Sequence, residues 1–169
     1  DITVLVHNNR VYGLTTGQFT PTSKKGFKGG STPEGSVENP LNQLTIMLEA
    51  GATFVARAYS GKIKEMADTI VKAVDHTGFS VIDVLQPCVT YNDTYKLYNE
   101  KVKILEKTPE SYEKAMEIAR TSDPLYIGII YQTQKPVYHH ELYKDFNPVK
   151  DSLSREKRIK KIKNVLKVE

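Results

Sequence analysis

The stretch HNNRVYGLTTGQ, residues 7–18, contains side chains well suited to hold a ligand. It follows an apolar, β-branched run at residues 2–6, which predicts a strand buried in a parallel sheet. The carboxamides of Asn8 and Asn9 would then lie just past the carboxyl end of that strand, where open α/β sheets bind ligands. A plain turn is the alternative, because Asn and Gly favour turns without any ligand.

The single cysteine, Cys88, has a similar position. It lies in the segment QPCVTYN after a predicted strand at residues 79–85, so we expect it at the same sheet edge as Asn9. A lone cysteine is commonly a small buried apolar residue, whereas one at a ligand edge can be a reactive or metal-ligating thiolate. Because one cysteine cannot hold zinc or an iron–sulfur cluster, a metal role requires ligands from outside this chain.

The elements that position these groups follow from hydrophobic periodicity and cap residues. Buried strands are predicted at residues 2–6, 53–58, 79–85 and 125–131. Helices are predicted behind Asn39 as N-cap, at residues 62–77, at 94–105 and behind Thr108 as N-cap. Their alternation predicts an α/β fold, with a mostly parallel sheet and helices on both faces. His76, in the last turn of the second helix, is expected to be partly cationic, which suits the helix dipole.

The loop at residues 19–39 is long for a compact domain and rich in Gly, Ser, Thr, Pro and Lys. Its segment GFKGGSTPEG lacks the Gly-Lys-Ser/Thr spacing of a phosphate loop and also lacks GxGxxG. We therefore expect a flexible lid or a partner contact rather than a phosphate site.

The adjacent His139 and His140 project in different directions on any regular element, which argues against a shared metal.

The composition, 39% hydrophobic and 26% charged over 169 residues, is typical of one globular domain. No apolar run approaches the length of about 18 residues that a membrane span requires. A single cysteine and the absence of a secretory signal predict a cytoplasmic protein. Since Asp1 stands directly before a core strand, we also expect that upstream sequence is missing.

The basic charge is concentrated in the C-terminal tail. Residues 150–169 hold eight Lys or Arg against three Asp or Glu, a net of +5, so the other 149 residues sum to −1 within the total of +4. We therefore divide the chain into an α/β domain at 1–150 and a basic amphipathic helix or tail at 151–169. The stripe of Ile159, Ile162 and Leu166 favours docking on a protein surface over membrane or nucleic-acid binding.

Five segments in order carry a resemblance to a known family: NNRVYGLTTGQFTPTS, STPEG, GATFVARAY, HTGFSVIDVLQPCVTYN and PLYIGIIYQ. Through most of residues 2–142 the chain resembles the β subunit of 2-oxoacid:ferredoxin oxidoreductases, thiamine-diphosphate enzymes of the pyruvate synthase type. The resemblance implies the C-terminal part of a thiamine-diphosphate-binding fold. It also implies oxidative decarboxylation of a 2-oxoacid such as pyruvate with coenzyme A, giving an acyl thioester, carbon dioxide and reduced ferredoxin.

The resemblance also implies roles for individual residues. The side-chain oxygen of Asn9 and the backbone carbonyl of Val11 would bind the Mg²⁺ that holds the diphosphate, as hard oxygen ligands suit Mg²⁺. Cys88 would be the last of four thiolates around a 4Fe–4S cluster. The other three cysteines and the aspartate of a Gly-Asp-Gly element would lie in a missing N-terminal part, so the chain alone is expected to be inactive.

The rest of the cofactor and substrate pocket would be lined by Tyr12, Gly13, Leu14, Thr16 and Gln18. Some relatives have Lys at the position of Thr16, so the resemblance does not identify which residue of this chain would bind the substrate carboxylate. No residue of the chain is nominated as a general acid or base. The implied partners are the missing part of the β subunit, an α subunit and ferredoxin, with γ and δ subunits as further candidates and without nucleic acid.

Two other functions stay open. One is a non-enzymatic α/β binding or scaffolding domain with a basic tail, and the other is a thiamine-diphosphate enzyme without clusters; the segment PCVT argues against the second. The oxidoreductase interpretation requires that Asn9 and Cys88 open toward the same edge of the sheet. The loop at residues 19–39 should then lie near that edge or be disordered.

Overall fold

A computed structural model describes residues 1–144, 150 and 153–166 of the chain. Its strands are β1 (Ile2–Asn8), β2 (Val11–Tyr12), β3 (Gln18–Phe19), β4 (Phe54–Tyr59), β5 (Phe79–Leu85), β6 (Val102–Ile104) and β7 (Leu125–Gln132). Its helices are α1 (Gln43–Glu49), α2 (Ile63–Asp75), α3 (Tyr95–Lys101), α4 (Tyr112–Arg120), α5 (Tyr138–Tyr143) and α6 (Arg155–Leu166).

The main sheet has the strand order β1-β5-β4-β7-β6, and three of its four neighbouring pairs are parallel. The mostly parallel α/β fold is therefore confirmed. One strand direction differs from the expectation, since β7 runs antiparallel to β4. The seven residues of α3 rise only about 10 Å, too little to carry the chain back across the sheet. As a result β6 starts near the edge where β5 ends, and α4 then returns the chain so that β7 lies parallel to β6.

Helices cover both faces of the sheet, as predicted, because successive strand residues point to opposite sides. On one face Val55 and Val81 pack with residues of α1 and α4, including Leu44, Leu48 and Ala115. On the other face the sheet packs against α2, in a cluster of Phe54, Ala56, Ala58, Ala73, Ile82 and Val84. The central strands β4 and β5 are therefore apolar on both sides.

The first strand is not buried in the way its apolar run predicts. Among the described strands, β1 forms the edge of the sheet and pairs with β5 alone, and Ile2 and Val4 are 62% and 36% exposed. Hydrophobic periodicity detects an apolar strand but does not show whether a neighbour covers it. The buried interpretation of residues 2–6 is wrong for this structure.

Three helix boundaries also differ from the prediction. α1 is capped by Asn42, whose side chain accepts from the amides of Leu44 and Thr45, instead of by Asn39. α4 is capped by Ser111 instead of Thr108. The helix predicted to reach residue 105 ends at Lys101 and continues as β6. In the first two cases a cap-type residue close to the true boundary competed with the one that we selected.

Polar side chains form a buried network at the carboxyl end of the central strands. The Asp83 carboxylate is 3.6 Å from Nε of Arg57, and Nδ2 of Asn8 donates to it at 3.1 Å. Nη1 of Arg57 donates to the carbonyl of Tyr126 at 3.4 Å. All three network residues, Asn8, Arg57 and Asp83, are at most 8% exposed. The network joins β1, β4 and β5 at the edge where the site residues follow.

His76 is not the partly cationic cap residue expected from the sequence. Its ring is buried beside Phe54, and Nε2 lies 2.8 Å from Oγ1 of Thr53. Removal from water penalises the charged form, so burial lowers the pKa of His76. The ring therefore contributes to packing as a neutral group.

The chain divides into two compact units, Asp1–Lys135 and Pro136–Glu169. The division predicted at residue 150 stays a prediction, and residues 145–149 and 151–152 beside it lie outside the described residues. In the second unit the predicted basic helix is present as α6, with Ile159, Ile162 and Leu166 exposed. None of the helices in the described part of the chain is both long and apolar enough to span a membrane.

We predict that Asp83→Asn lowers the free energy of unfolding by about 3–5 kcal/mol, because it leaves the buried Arg57 charge uncompensated. The control is Asp68→Asn, which breaks an exposed ion pair with Lys64 and should cost no more than about 0.5 kcal/mol. Urea unfolding of both variants measures the difference. Equal losses would show that the buried network contributes no more than a surface pair.

His76 predicts a pH dependence of stability. Because its pKa in the folded state is lowered, the unfolded chain binds more protons at mildly acidic pH. The neutral ring makes its full contribution to the free energy of unfolding above the unfolded pKa of about 6.5. That contribution is lost as the pH falls toward the folded pKa. His76→Gln should reduce the slope of unfolding free energy against pH in this range, which urea unfolding at a series of pH values measures. An unchanged slope in His76→Gln would contradict the assignment.

Candidate cofactor and metal site

The residues after β1 form a tight turn that leads into a short hairpin. Oδ1 of Asn9 accepts from the amide of Val11 at 3.0 Å, which fixes the direction of the Asn9 side chain. Arg10 between them adopts a φ of 58°. Val11 then pairs with Phe19 in the two-stranded sheet β2–β3. The alternative of an Asn-rich turn is thus true of the local backbone, and it does not exclude ligand binding.

The turn after β1 contacts the turn after β5. Cys88 and Asn92 form an antiparallel bridge, in which the amide of each donates to the carbonyl of the other at 3.1 and 2.8 Å. Nδ2 of Asn92 donates to the carbonyl of Asn9 at 2.9 Å. The expectation that Asn9 and Cys88 lie at the same sheet edge is therefore confirmed.

Gly13 allows this close approach. A Cβ at Gly13 would lie 3.3 Å from Sγ of Cys88 and 3.4 Å from Nδ2 of Asn9. The position of the absent side chain thus borders both the thiol and the carboxamide. Because Cys88 is only partly buried, it is not sealed in the core. The Asn9 carboxamide and the Cys88 thiol therefore both lie beside the Cα of Gly13.

The other predicted pocket residues lie in or beside the hairpin. Nε2 of Gln18 donates to Oγ1 of Thr16 at 2.8 Å, and Oε1 of Gln18 accepts from the Thr16 amide at 3.3 Å. Tyr12 is 56% exposed and Leu14 is 99% exposed. These side chains are placed near Asn9 by the chain path but are not enclosed, so their role in a cofactor pocket stays a prediction.

The long loop lies close to this edge, which was one of its two expected states. Oγ1 of Thr22 donates to Oδ1 of Asn8 at 2.8 Å, and Oγ of Ser23 donates to the Arg10 carbonyl at 2.6 Å. The loop also folds on itself, since buried Ser36 accepts at its carbonyl from Gly26 and donates from its hydroxyl to the carbonyl of Lys24. It therefore supports the turn at residues 9–13.

Sequence reasoning missed the residues that connect the two turns and the charged groups beside them. Asn92 stands within the quoted segment QPCVTYN, yet nothing in the sequence showed that it would contact Asn9. Arg57 was counted only as part of a strand. Burial lowers the pKa of the Arg57 guanidinium, and the neighbouring charge of Asp83 raises it; an arginine nevertheless stays protonated in proteins.

The described residues do not contain a cluster of the side chains that most often bind metals. No group of three or more His, Cys, Asp or Glu residues within the described ranges could hold a metal ion. Asn9 and Val11 together offer hard oxygen atoms suited to Mg²⁺, and Cys88 offers one thiolate. These donors fit parts of the two predicted sites, and each site would need further ligands.

Two family models match consecutive parts of the chain. Residues 1–84 match the C-terminal TPP-binding domain of thiamine pyrophosphate enzymes. Residues 88–145 match the C-terminal part of the pyruvate ferredoxin oxidoreductase beta subunit. Asn9 lies in the first matched range and Cys88 is the first residue of the second.

Known proteins similar to the chain are longer than it. The 2-oxoacid:ferredoxin oxidoreductase subunit beta of Saccharolobus solfataricus is 41% identical over 150 residues, which are 79% of this chain and 49% of that protein. Subunit beta of 2-oxoacid:ferredoxin oxidoreductase 1 from Aeropyrum pernix is 46% identical over 111 residues, 64% and 35% of the two chains. The chain thus spans about half, or less, of the length of these relatives.

A solved structure shares the fold. It is a 2-oxoglutarate:ferredoxin oxidoreductase from Magnetococcus marinus with 2-oxoglutarate, coenzyme A and succinyl-CoA bound. The superposition has a TM-score of 0.82 at 33% identity and covers 95% of this chain and 57% of the other.

The contact between the two turns predicts a specific effect of a methyl group at Gly17. This glycine has a φ of 77°, and a Cβ there would lie 2.6 Å from Cδ1 of Tyr91. Gly17→Ala should lower the free energy of unfolding by more than the roughly 1–2 kcal/mol of a left-handed alanine and should shift the amide resonances of residues 88–92.

The matched control is Gly26→Ala, because Gly26 has a φ of 80° and no atom within 4 Å of its ideal Cβ. It should show the backbone cost alone. When Tyr91 is already replaced by Ala, adding Gly17→Ala should lower the free energy of unfolding by no more than Gly26→Ala does. If the two glycine variants lose the same stability, the packing of Tyr91 on Gly17 is not significant in solution.

Proposed function

Because the chain belongs to the family of 2-oxoacid:ferredoxin oxidoreductase β subunits, we propose that it forms part of the site for thiamine diphosphate in such an enzyme. The reaction would be the oxidative decarboxylation of a 2-oxoacid with coenzyme A, yielding an acyl thioester, carbon dioxide and reduced ferredoxin. The observation that carries the proposal is the convergence of Asn9 and Cys88 on Gly13.

The convergence matters because the two residues would hold different groups that must exchange electrons. Asn9 and the carbonyl of Val11 would bind Mg²⁺ and so hold the diphosphate, while Cys88 would be one ligand of a 4Fe–4S cluster. A non-enzymatic domain has no need for a thiol beside a turn that presents oxygen ligands. The missing side chain of Gly13 keeps the path between the two groups short.

Thiamine diphosphate, when bound, supplies the stabilisation of the carbanion that decarboxylation produces. The contribution of this chain is to position and shield. The hydrogen bond from the Val11 amide holds the carboxamide of Asn9 in one orientation. The bond from Asn92 to the Asn9 carbonyl holds the turn against Cys88. Tyr12, Leu14, Thr16 and Gln18 would line the pocket once other parts of the assembly enclose them.

The other ligands would come from the rest of the β subunit. A four-iron cluster needs four ligands, and this chain has one cysteine. Mg²⁺ likewise takes about six oxygen ligands, including phosphates and water. The proposed assembly therefore contains the remainder of the β subunit and an α subunit, with ferredoxin as the electron acceptor, and is cytoplasmic.

The 2-oxoacid is a separate question. Several relatives are named for 2-oxoglutarate, among them a 2-oxoglutarate oxidoreductase subunit KorB of Mycobacterium tuberculosis and a 2-oxoglutarate synthase subunit KorB of Methanocaldococcus jannaschii. Others are named only for 2-oxoacids. We propose that the substrate is a 2-oxoacid. Initial rates of the assembled enzyme with pyruvate and with 2-oxoglutarate would show which of the two it prefers.

We predict that this chain alone does not bind thiamine diphosphate and Mg²⁺ at micromolar concentrations, because it offers only Asn9 and Val11 to the metal. A chimera in which it replaces the matched segment of the Saccharolobus solfataricus β subunit, assembled with its partner subunit, should bind the cofactor and reduce ferredoxin. Calorimetry measures binding, and the ferredoxin spectrum measures the reaction.

Two substitutions in the chimera separate the proposed role of Asn9 in cofactor binding from that of Cys88 in cluster binding. Asn9→Ala should weaken cofactor binding at least about tenfold and leave the cluster absorbance intact, whereas the exposed Asn39→Ala should change neither the binding nor the absorbance. Cys88→Ser should lose cluster absorbance and ferredoxin reduction but retain cofactor binding, whereas the neighbouring Thr90→Ser should retain all three. A folded chimera without cofactor binding would favour the non-enzymatic alternative.

A further inference from the structure

A second potential site lies beside the buried Asp83 network. It is a cleft of about 530 Å³ on the face covered by α1 and α4, between the start of α1, the end of α4 and the long loop. Asn8, Arg57 and Asp83 form part of its wall. This volume falls within the range of about 300–1,000 Å³ of small-molecule sites.

The wall of the cleft carries an excess of positive charge. Its lining includes five cationic residues, Arg10, Lys24, Arg57, Lys101 and Arg120, and one carboxylate, Asp83. Asp83 is paired with Arg57, and Lys101 lies 2.6 Å from Asp123 at the rim. Arg10, Lys24 and Arg120 form no ion pair with any residue that the structure describes. Three positive charges on the wall are therefore uncompensated.

One buried N–H group of the wall has no acceptor. Nε of Arg10 is buried and makes no hydrogen bond within the described part of the chain, and its guanidinium lies 5.7 Å from the centroid of the Tyr98 ring. Nε of Arg57 also makes no hydrogen bond, but it faces the Asp83 carboxylate at 3.6 Å. Since an unsatisfied buried donor is unfavourable, Nε of Arg10 indicates an acceptor that binds in this cleft.

We propose that the cleft binds the phosphate group of a small anionic ligand. Arginine forks bind phosphate through paired N–H donors. A phosphate monoester or diphosphate carries about two or more negative charges, which matches the uncompensated cations better than a single carboxylate does. The site involves none of the ligands assigned to Mg²⁺ or the cluster. The identification of coenzyme A as one source of the phosphate rests on the proposed function, whereas the anion site does not.

The first experiment is calorimetry of the full chain with inorganic diphosphate. We expect saturable binding to a single site, and the Nε–Hε NMR resonances of Arg57 and Arg10 should shift with the same affinity. The double variant Lys24→Gln/Arg120→Gln should weaken binding at least about tenfold, and both residues are exposed, so the fold should persist. The matched control, Lys25→Gln/Lys28→Gln, removes the same charge from exposed positions that do not line the cleft and should bind as wild type.

Competition identifies the source of the phosphate. Displacement of diphosphate by coenzyme A would assign the cleft to that cosubstrate, displacement by thiamine diphosphate would assign it to the cofactor, and displacement by neither would assign it to free phosphate. The proposal is overturned if diphosphate does not bind, if both double variants weaken binding equally, or if 2-oxoglutarate binds as tightly as diphosphate. An active chimera with no diphosphate binding would refute the anion site alone, and diphosphate binding with an inactive chimera would refute only the proposed function.

Discussion

The buried carboxylate of Asp83 constrains the whole carboxyl edge of the sheet. A charge in the interior is tolerated only when it is paired and hydrogen-bonded, and here Arg57 supplies the charge and Asn8 supplies a donor. These partners belong to the two strands beside β5. Each of the three strands must therefore end at the same level for the carboxylate to be satisfied, and this places the turns that follow β1 and β5 side by side.

The two turns convert this alignment into a candidate site. Asn92 links them by donating to the carbonyl of Asn9, and Gly13 and Gly17 provide room where a side chain would contact Cys88 or Tyr91. The site depends on small residues and backbone contacts as much as on the groups that would bind ligands. The same Asp83 network forms part of the wall of the basic cleft, so one cluster of buried charges supports both surfaces.

Much of the fold follows from the sequence because its signals are local. The alternation of apolar runs with amphipathic segments predicted β4, α2, β5 and β7 close to their true bounds. The predictions failed where the answer depends on distant neighbours. Whether β1 has one neighbour or two, and whether β7 runs parallel or antiparallel to β4, depends on the path of the whole chain. Cap residues such as Asn39 and Asn42 compete over a few positions, and packing of the helix selects between them.

For the site, the sequence by itself determined the chemical groups and their places after strand ends: the carboxamide of Asn9, the thiol of Cys88 and a resemblance that connects them. Only the tertiary structure decided that Asn92 joins the two turns, that Gly13 separates thiol from carboxamide, and that Arg10 and Arg57 face one cleft. These residues are separated by tens of positions in the chain. Their proximity results from strand pairing and from the pairing of a buried charge, which no local pattern of residue types encodes.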